Sequence, residues 1–155
     1  ELLLASLGWL GEAKDLRLLA RFCELRLLAL VGYRPQLFQC VRCRADIEPV
    51  DNFWSSTEGG VLCPRCGERL IERSGIDRPA AEPLPLNVLK VLRFLQTRDW
   101  ETCARLRLSP RLHAEVEKRL HRYIVYQLER SLKSLGFLRT VRRLLASSGQ
   151  VADAD

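Results

Sequence analysis

Methionine is absent from the 155 residues, and the chain opens on Glu1. The expectation is an excised part of a longer protein, or a chain stripped of its initiator. Long apolar runs are missing too: Leu27 to Val31, among the longest, falls far short of the roughly 18 residues a membrane-spanning helix needs. The apolar opening ELLLASLGWL has no basic segment before it and no small-residue cleavage site after it, so it is not a secretory signal. Histidine is nearly absent, with only His113 and His121, and neither has an acidic or cysteine partner at ligand spacing. Packing or capping is expected of both, not catalysis.

What the chain does have is 47% hydrophobic content, enough for one ordinary domain to fill a core without cross-links. Six cysteines, four of them in two tight pairs, suit a reduced cytoplasmic protein better than a secreted disulfide scaffold. The net charge of +6 is unevenly placed. Residues 1–77 carry 10 basic and 11 acidic side chains, whereas Cys103 to Arg143 carry 11 basic and 3 acidic. Any polyanion should therefore meet the C-terminal half.

Hydrophobic periodicity of three and four predicts a helix from Leu16 to Val31, with Leu18, Leu19, Phe22, Leu25, Leu28 and Ala29 inward. Asp15 is placed to cap its start, and Gly32 with Pro35 to stop it. The segment Leu2 to Leu10 reads as the tail of a preceding helix. Residues 37–66 change character: short β-favouring pieces, LFQCV, NFW and GVLC, alternate with turn-rich EPVDN and SSTEGG. Such pieces need something to hold them together. Pro-rich GIDRPAAEPLPL reads as a linker.

Helical patterning resumes from Pro85 to Thr97, with a shorter piece near Trp100 to Leu106. Ser109 and Pro110 then form an N-cap and first-turn proline for a long helix. That helix should run to about Leu135, stopped by Gly136, with a last basic amphipathic turn or two beyond. Leu112, Val116, Leu120, Tyr123, Ile124 and Leu128 form its apolar ridge, while Arg111, Arg119, Arg122, Tyr126 and Lys133 fall on the other side. The fold class expected is mainly α: a discontinuous helical domain, residues 1–36 and 84–145, interrupted by a small four-cysteine, zinc-ribbon-like β insert at 37–83. A disordered tail is expected over 146–155.

The insert carries Cys40, Cys43, Cys63 and Cys66, spaced as C-x2-C-x19-C-x2-C. Two residues between ligands let a turn aim two sulfurs at one ion, and two such turns complete a tetrahedron, so one structural zinc is the expected cofactor. Four thiolates leave no open position for catalysis. Unmetallated thiols and a thioredoxin-like redox pair are the rivals, but a redox CxxC works alone at a helix N-terminus and gains nothing from a second copy. Gly67 is expected to be left-handed beside its knuckle, and Arg44, in the matching place of the first, to make that half the more strained. Cys23 and Cys103 read as inert buried thiols.

Among the basic side chains, Arg111, Arg119, Arg122, Arg130, Lys133, Arg139, Arg142 and Arg143 are the candidate contacts for DNA or an acidic peptide. Nothing resembles a recognition helix, which argues against base-specific duplex reading. Arginine beside Tyr123, Tyr126 and Trp100 suits sequence-tolerant contact with single strands. Phe53 and Trp54 are expected to pack against the helices.

Three stretches, RFCELRLLALVGYRPQLFQCVRC, EGGVLCPRC and HRYIVYQLERSLKSLGFL, together resemble the C-terminal region of the RecO family of bacterial recombination mediators and DNA-repair proteins. The resemblance implies a helical domain with a zinc-finger insert, following an oligonucleotide-binding barrel that is not in this chain. It implies a non-enzymatic, nucleoid-associated protein that binds single-stranded and duplex DNA and anneals strands. The partners it implies are RecR and the acidic tail of single-strand-binding protein, in support of RecA loading. Family members often have glycine where Arg44 stands, and some lack the cysteines, which implies that zinc shapes the fold without being its working centre. A zinc-ribbon transcription-type module and a thiol redox enzyme remain as alternatives. The first is disfavoured because residues 37–82 carry 6 basic against 8 acidic side chains.

Overall fold

The computed structural model describes residues 2–74 and 80–148, with side chains for 4–74 and 80–130. The elements are α1 (Leu2–Glu12), α2 (Leu16–Leu30), β1 (Asn52–Ser55), β2 (Gly60–Leu62), α3 (Pro64–Arg73), β3 (Glu82–Leu84), α4 (Leu86–Thr97), α5 (Trp100–Cys103) and α6 (Pro110–Ser148). Helices dominate, and the strands form one small antiparallel sheet in the order β2-β1-β3.

Local chemistry explains the helix boundaries. The Asp15 carboxylate accepts from the Leu18 N–H at 3.0 Å, capping α2, and Gly32 leaves the helix with φ +83. The Asp99 carboxylate does the same for α5 through Thr102 N–H at 2.8 Å. Ser109 Oγ accepts from Leu112 N–H at 3.3 Å, and Pro110 occupies the first turn of α6.

The buried face of α2 is Leu18, Leu19, Phe22, Leu25 and Leu28, while Ala29 is exposed. It packs against α4 through Val88, Leu89, Leu92 and Leu95, and against α6 through Val116 and Leu120. Arg17 and Arg21 both reach Glu117, at 3.2 and 3.6 Å, across the α2–α6 seam. His113 is buried, and its Nε2 stands 2.9 Å from the Asp15 carboxylate, so the residue that caps α2 also holds the start of α6. Sequence spacing concealed that partner because the two residues lie on different helices.

The sheet joins this helical layer through side chains. Trp54 is 1% exposed and meets Tyr123 edge-on at 5.5 Å. Arg93 of α4 donates from Nε to the Leu37 carbonyl at 2.9 Å, and Gln96 donates to the Pro35 carbonyl at 2.9 Å. The apolar core runs without a break from Leu18 through Leu37, Trp54 and Val61 to Leu92 and Leu120.

Several expectations need correction. Residues 37–41 form no strand: Gln36 and Gln39 make isolated bridges to Gly60 and Asp46. The second knuckle opens a ten-residue helix, α3, that period-two patterning did not show. Part of the supposed linker is β3, paired to β1 with Pro83 opposite Phe53, an edge position that tolerates a residue without an N–H. Gly136 does not end the long helix, which continues to Ser148 and takes in the first residues of the expected tail. Residues 149–155 of that tail lie outside the described residues. Leu128, expected inward, is 58% exposed. Among the described residues no helix is long and apolar enough to cross a membrane.

Candidate metal centre and basic helix face

The first knuckle is built by a tight turn after Gln39. Cys40 N–H donates to Ala45 O at 2.8 Å, Arg44 N–H to Cys40 O at 2.9 Å, and Val41 N–H to Val61 O at 3.0 Å, which staples the knuckle to β2. Arg44 closes the turn at φ +64, left-handed geometry that disfavours a residue with a Cβ. Arg42 adds an ion pair to Glu58 at 3.0 Å.

The second knuckle is made differently. Cys63 caps α3, Pro64 takes its first turn, and Gly67 N–H donates to Cys63 O at 2.9 Å. Gly67 is helical, not left-handed. A Cβ there would stand 2.2 Å from the Phe53 ring and 2.6 Å from Phe53 Cβ, so glycine is needed for close approach of α3 to β1. The left-handed position expected at Gly67 is occupied at Arg44 instead, the half expected to be strained.

All four sulfurs lie within 4.8 Å of one another. Cys43 Sγ and Cys63 Sγ are 3.8 Å apart, and about 3.8 Å is what tetrahedral metal–sulfur bonds of ~2.3 Å require. Burial pushes the Cys40 thiol up, but the backbone N–H groups of Cys43, Cys63 and Arg42 outweigh it and lower the group to about 6. Burial, followed by contacts with the other three sulfurs, pushes Cys66 up to about 12; Cys63 is likewise raised, first by burial. The cluster thus favours the thiolate at Cys40 and disfavours it at Cys63 and Cys66. A central divalent cation is the charge that reconciles four thiolates at this spacing, so the donor set fits a metal ion.

A redox reading has one point in its favour: CPRC sits after a strand and at a helix N-terminus. Within CPRC the thiols run against it, because a reactive CxxC needs a lowered pKa and both Cys63 and Cys66 are raised; the lowered thiol is Cys40, in the knuckle that opens no helix. Cys103 is fully buried and pushed up to about 11 by that burial, while Cys23 is half-buried with Ser6 Oγ 3.4 Å from its sulfur.

The basic residues divide. Arg119 is 5% exposed; it donates from Nη1 to Glu82 at 3.1 Å and from Nη2 to the Pro83 carbonyl at 2.7 Å, with Glu115 at 3.4 Å. It ties β3 to α6 and is not on the open face where the sequence put it. Arg122 is exposed and shares Glu82 at 2.6 Å. Arg111 and Arg130 are exposed. The side chains of Lys133, Arg139, Arg142 and Arg143 lie outside those described. Tyr123 and Trp100 belong to the core, at 2% and 7% exposure, and the Tyr123 hydroxyl donates to the Tyr33 carbonyl at 3.1 Å. Lys118 was overlooked: with Arg111 and Arg122 it recurs at seven and four, placing three cations on one exposed stripe of α6.

The structure is thus mainly helical, with a small antiparallel sheet, a four-cysteine cluster and a late helix rich in basic residues. The chain belongs to the family described as Recombination protein O C terminal, which matches residues 1–136. It is similar to the DNA repair protein RecO of Roseiflexus sp. (strain RS-1), 40% identical over 147 residues that cover 95% of this chain and 49% of that protein. The DNA repair protein RecO of Symbiobacterium thermophilum is 38% identical over 144 residues, 91% of this chain and 54% of that protein. That of Dehalococcoides mccartyi (strain ATCC BAA-2100) is 30% identical over 142 residues, 92% of this chain and 53% of that protein. The chain spans about half the length of these curated relatives. No solved structure matches it.

Proposed function

We propose that the chain is the DNA- and partner-binding half of a recombination mediator and performs no catalytic turnover. The observation that carries this is the exposed stripe Arg111, Lys118 and Arg122 on α6, in a chain of a family whose curated members are named DNA repair proteins. Arg130 extends the stripe, and Lys133, Arg139, Arg142 and Arg143 continue the basic sequence beyond it. Such a helix neutralises phosphates without reading bases, which suits annealing and transfer of single strands. A RecR-type partner and the acidic tail of single-strand-binding protein are the protein partners of this reading, and RecA loading is its outcome.

In this reading the ion at Cys40, Cys43, Cys63 and Cys66 is one structural zinc. The four-thiolate set leaves it no open position, so its contribution is to hold the first knuckle against α3. Direct DNA contact through the insert is disfavoured by its acidic balance.

The test is charge reversal of Arg111, Lys118 and Arg122 together, followed by binding of a single-stranded oligonucleotide across a salt series. Loss of three phosphate contacts should lower the slope of log K against log salt by about 2. Unchanged affinity and slope would remove the proposal.

A further inference from the structure

Between the end of α1 and the α5–α6 connection lies a groove of about 440 Å³. Trp9 and Trp100 form its apolar wall, and Lys14, Arg105 and Arg107 line it as well. A second, shallower depression shares Lys14 and Arg107 with it and adds Arg17, so the two form a continuous track.

Trp9 is half-buried and braced from behind. Its ring meets Phe22 edge-on at 5.7 Å and Trp100 at 6.1 Å, and those two rings pack at 5.5 Å. A ring held this way loses little freedom when a flat ligand stacks on it. The cations beside it are available. Among the described residues, Arg17 pairs with Glu117 and His113 with Asp15, whereas Lys14, Arg105 and Arg107 take no carboxylate. Arg107 is held at the rim by its own backbone, donating to the carbonyls of Leu106 at 3.2 Å and Ala104 at 3.5 Å. Glu12 and Glu101 also line the groove. Carboxylates oppose a purely anionic ligand, yet they accept from the exocyclic amino groups of bases.

Flat apolar wall, unpaired cations and amine acceptors within one groove match a nucleotide better than an acidic peptide, whose carboxylates Glu12 and Glu101 would repel. We propose that this groove takes one nucleotide of a single-stranded nucleic acid, its base stacked on Trp9 and its flanking phosphates along Lys14, Arg105 and Arg107. A duplex offers no free base face, so the single strand is the form it fits. The inference rests on the DNA-binding reading above and adds a place for a base, which the charged stripe on α6 lacks. The first turn of that stripe, at Arg111, follows Arg107 by four residues, so one strand can run from groove to helix.

The test uses the chain with a short single-stranded oligodeoxynucleotide, reading tryptophan fluorescence and affinity. The parent is expected to be quenched on binding. Trp9→Phe keeps the apolar wall and should lose most of the quenching, with affinity about tenfold weaker. Arg105→Glu with Arg107→Glu, both at exposed positions, should weaken binding by a similar factor and lower the salt slope, and circular dichroism reports that both variants are folded. Should Trp9→Phe fail to fold, the arginine pair decides alone. Parent-like affinity in both variants, while reversal of Arg111, Lys118 and Arg122 abolishes binding, would sink the groove and leave the DNA reading standing. A parent that binds no single strand overturns both. A polyglutamate peptide that quenches as strongly and displaces the oligonucleotide would reassign the groove to acidic peptides and overturn the proposal.

Discussion

Arg119 donates to the Glu82 carboxylate at 3.1 Å and to the Pro83 carbonyl at 2.7 Å, and so fastens an edge strand of the insert to the middle of the long helix. Arg122, one turn on, reaches the same carboxylate from the solvent side.

Burial separates the two arginines. Arg119→Ala leaves the Pro83 carbonyl without its donor and Glu82 with only the exposed Arg122, in a site 6% exposed on the arginine side, and should cost about 3 kcal/mol. Arg122→Ala removes a partner that is 55% exposed and should cost less than about 1 kcal/mol. Urea denaturation of the two variants checks the order; equal losses would mean that Glu82 does not distinguish them.

Gly67→Ala tests the approach of α3 to the sheet. In an open helix the exchange would stabilise by about 1 kcal/mol, but here the new methyl would stand 2.2 Å from the Phe53 ring. Overpacking of about 1–3 kcal/mol should win and loosen the Cys66 knuckle. Denaturation midpoints and competition for metal against a chelating dye should both shift in the weakening direction.

Metal removal should affect the two layers unequally. The pairing of β1 with β2 is three residues long and leans on the knuckles, whereas α2, α4 and α6 pack through a broad apolar face. Chelation, or Cys43→Ser, should change the near-ultraviolet dichroism of buried Trp54 and lower the melting temperature, with most far-ultraviolet helicity retained. Complete loss of helicity would show that the helical layer does not stand without the insert.

Glu24 gives a pH dependence of definite sign. Burial is the main cause raising its pKa, helped by Glu117 and opposed by Arg21 and His121. The folded state therefore holds this proton more tightly than the unfolded chain, and stability attributable to Glu24 falls as pH rises from the ordinary carboxylate range through the raised folded value. Glu24→Gln, which keeps an acceptor for Arg21, should match the parent near pH 3 and exceed it at pH 7. Thermal melts across that range are the check; a variant weaker than the parent at pH 7 would reverse the assignment.

Much of the helical framework was legible because its signals lie close together in the chain. Asp15 three residues before Leu18, Ser109 before Pro110 and the apolar spacing of α2 and α4 each sit within one or two turns. The four-cysteine cluster was legible for the same reason, since each CxxC is a single turn. What was misread is instructive. α3 was missed because the turn signals around CPRCG outweighed a short amphipathic pattern, and β3 because prolines look like linker until an edge place beside β1 is available.

From the sequence alone came the helices other than α3, the four-sulfur set and the basic bias of the C-terminal half, all carried by residue types at short spacing. Only the tertiary structure decided what each exposed-looking group does. It drew Arg119 inward to Glu82, 37 residues away, set His113 on Asp15 and Trp54 on Tyr123, and left Lys118 and Trp9 at the surface. Those outcomes depend on which faces meet when the chain closes, and closure follows the summed burial of distant apolar residues, a quantity that no local window contains.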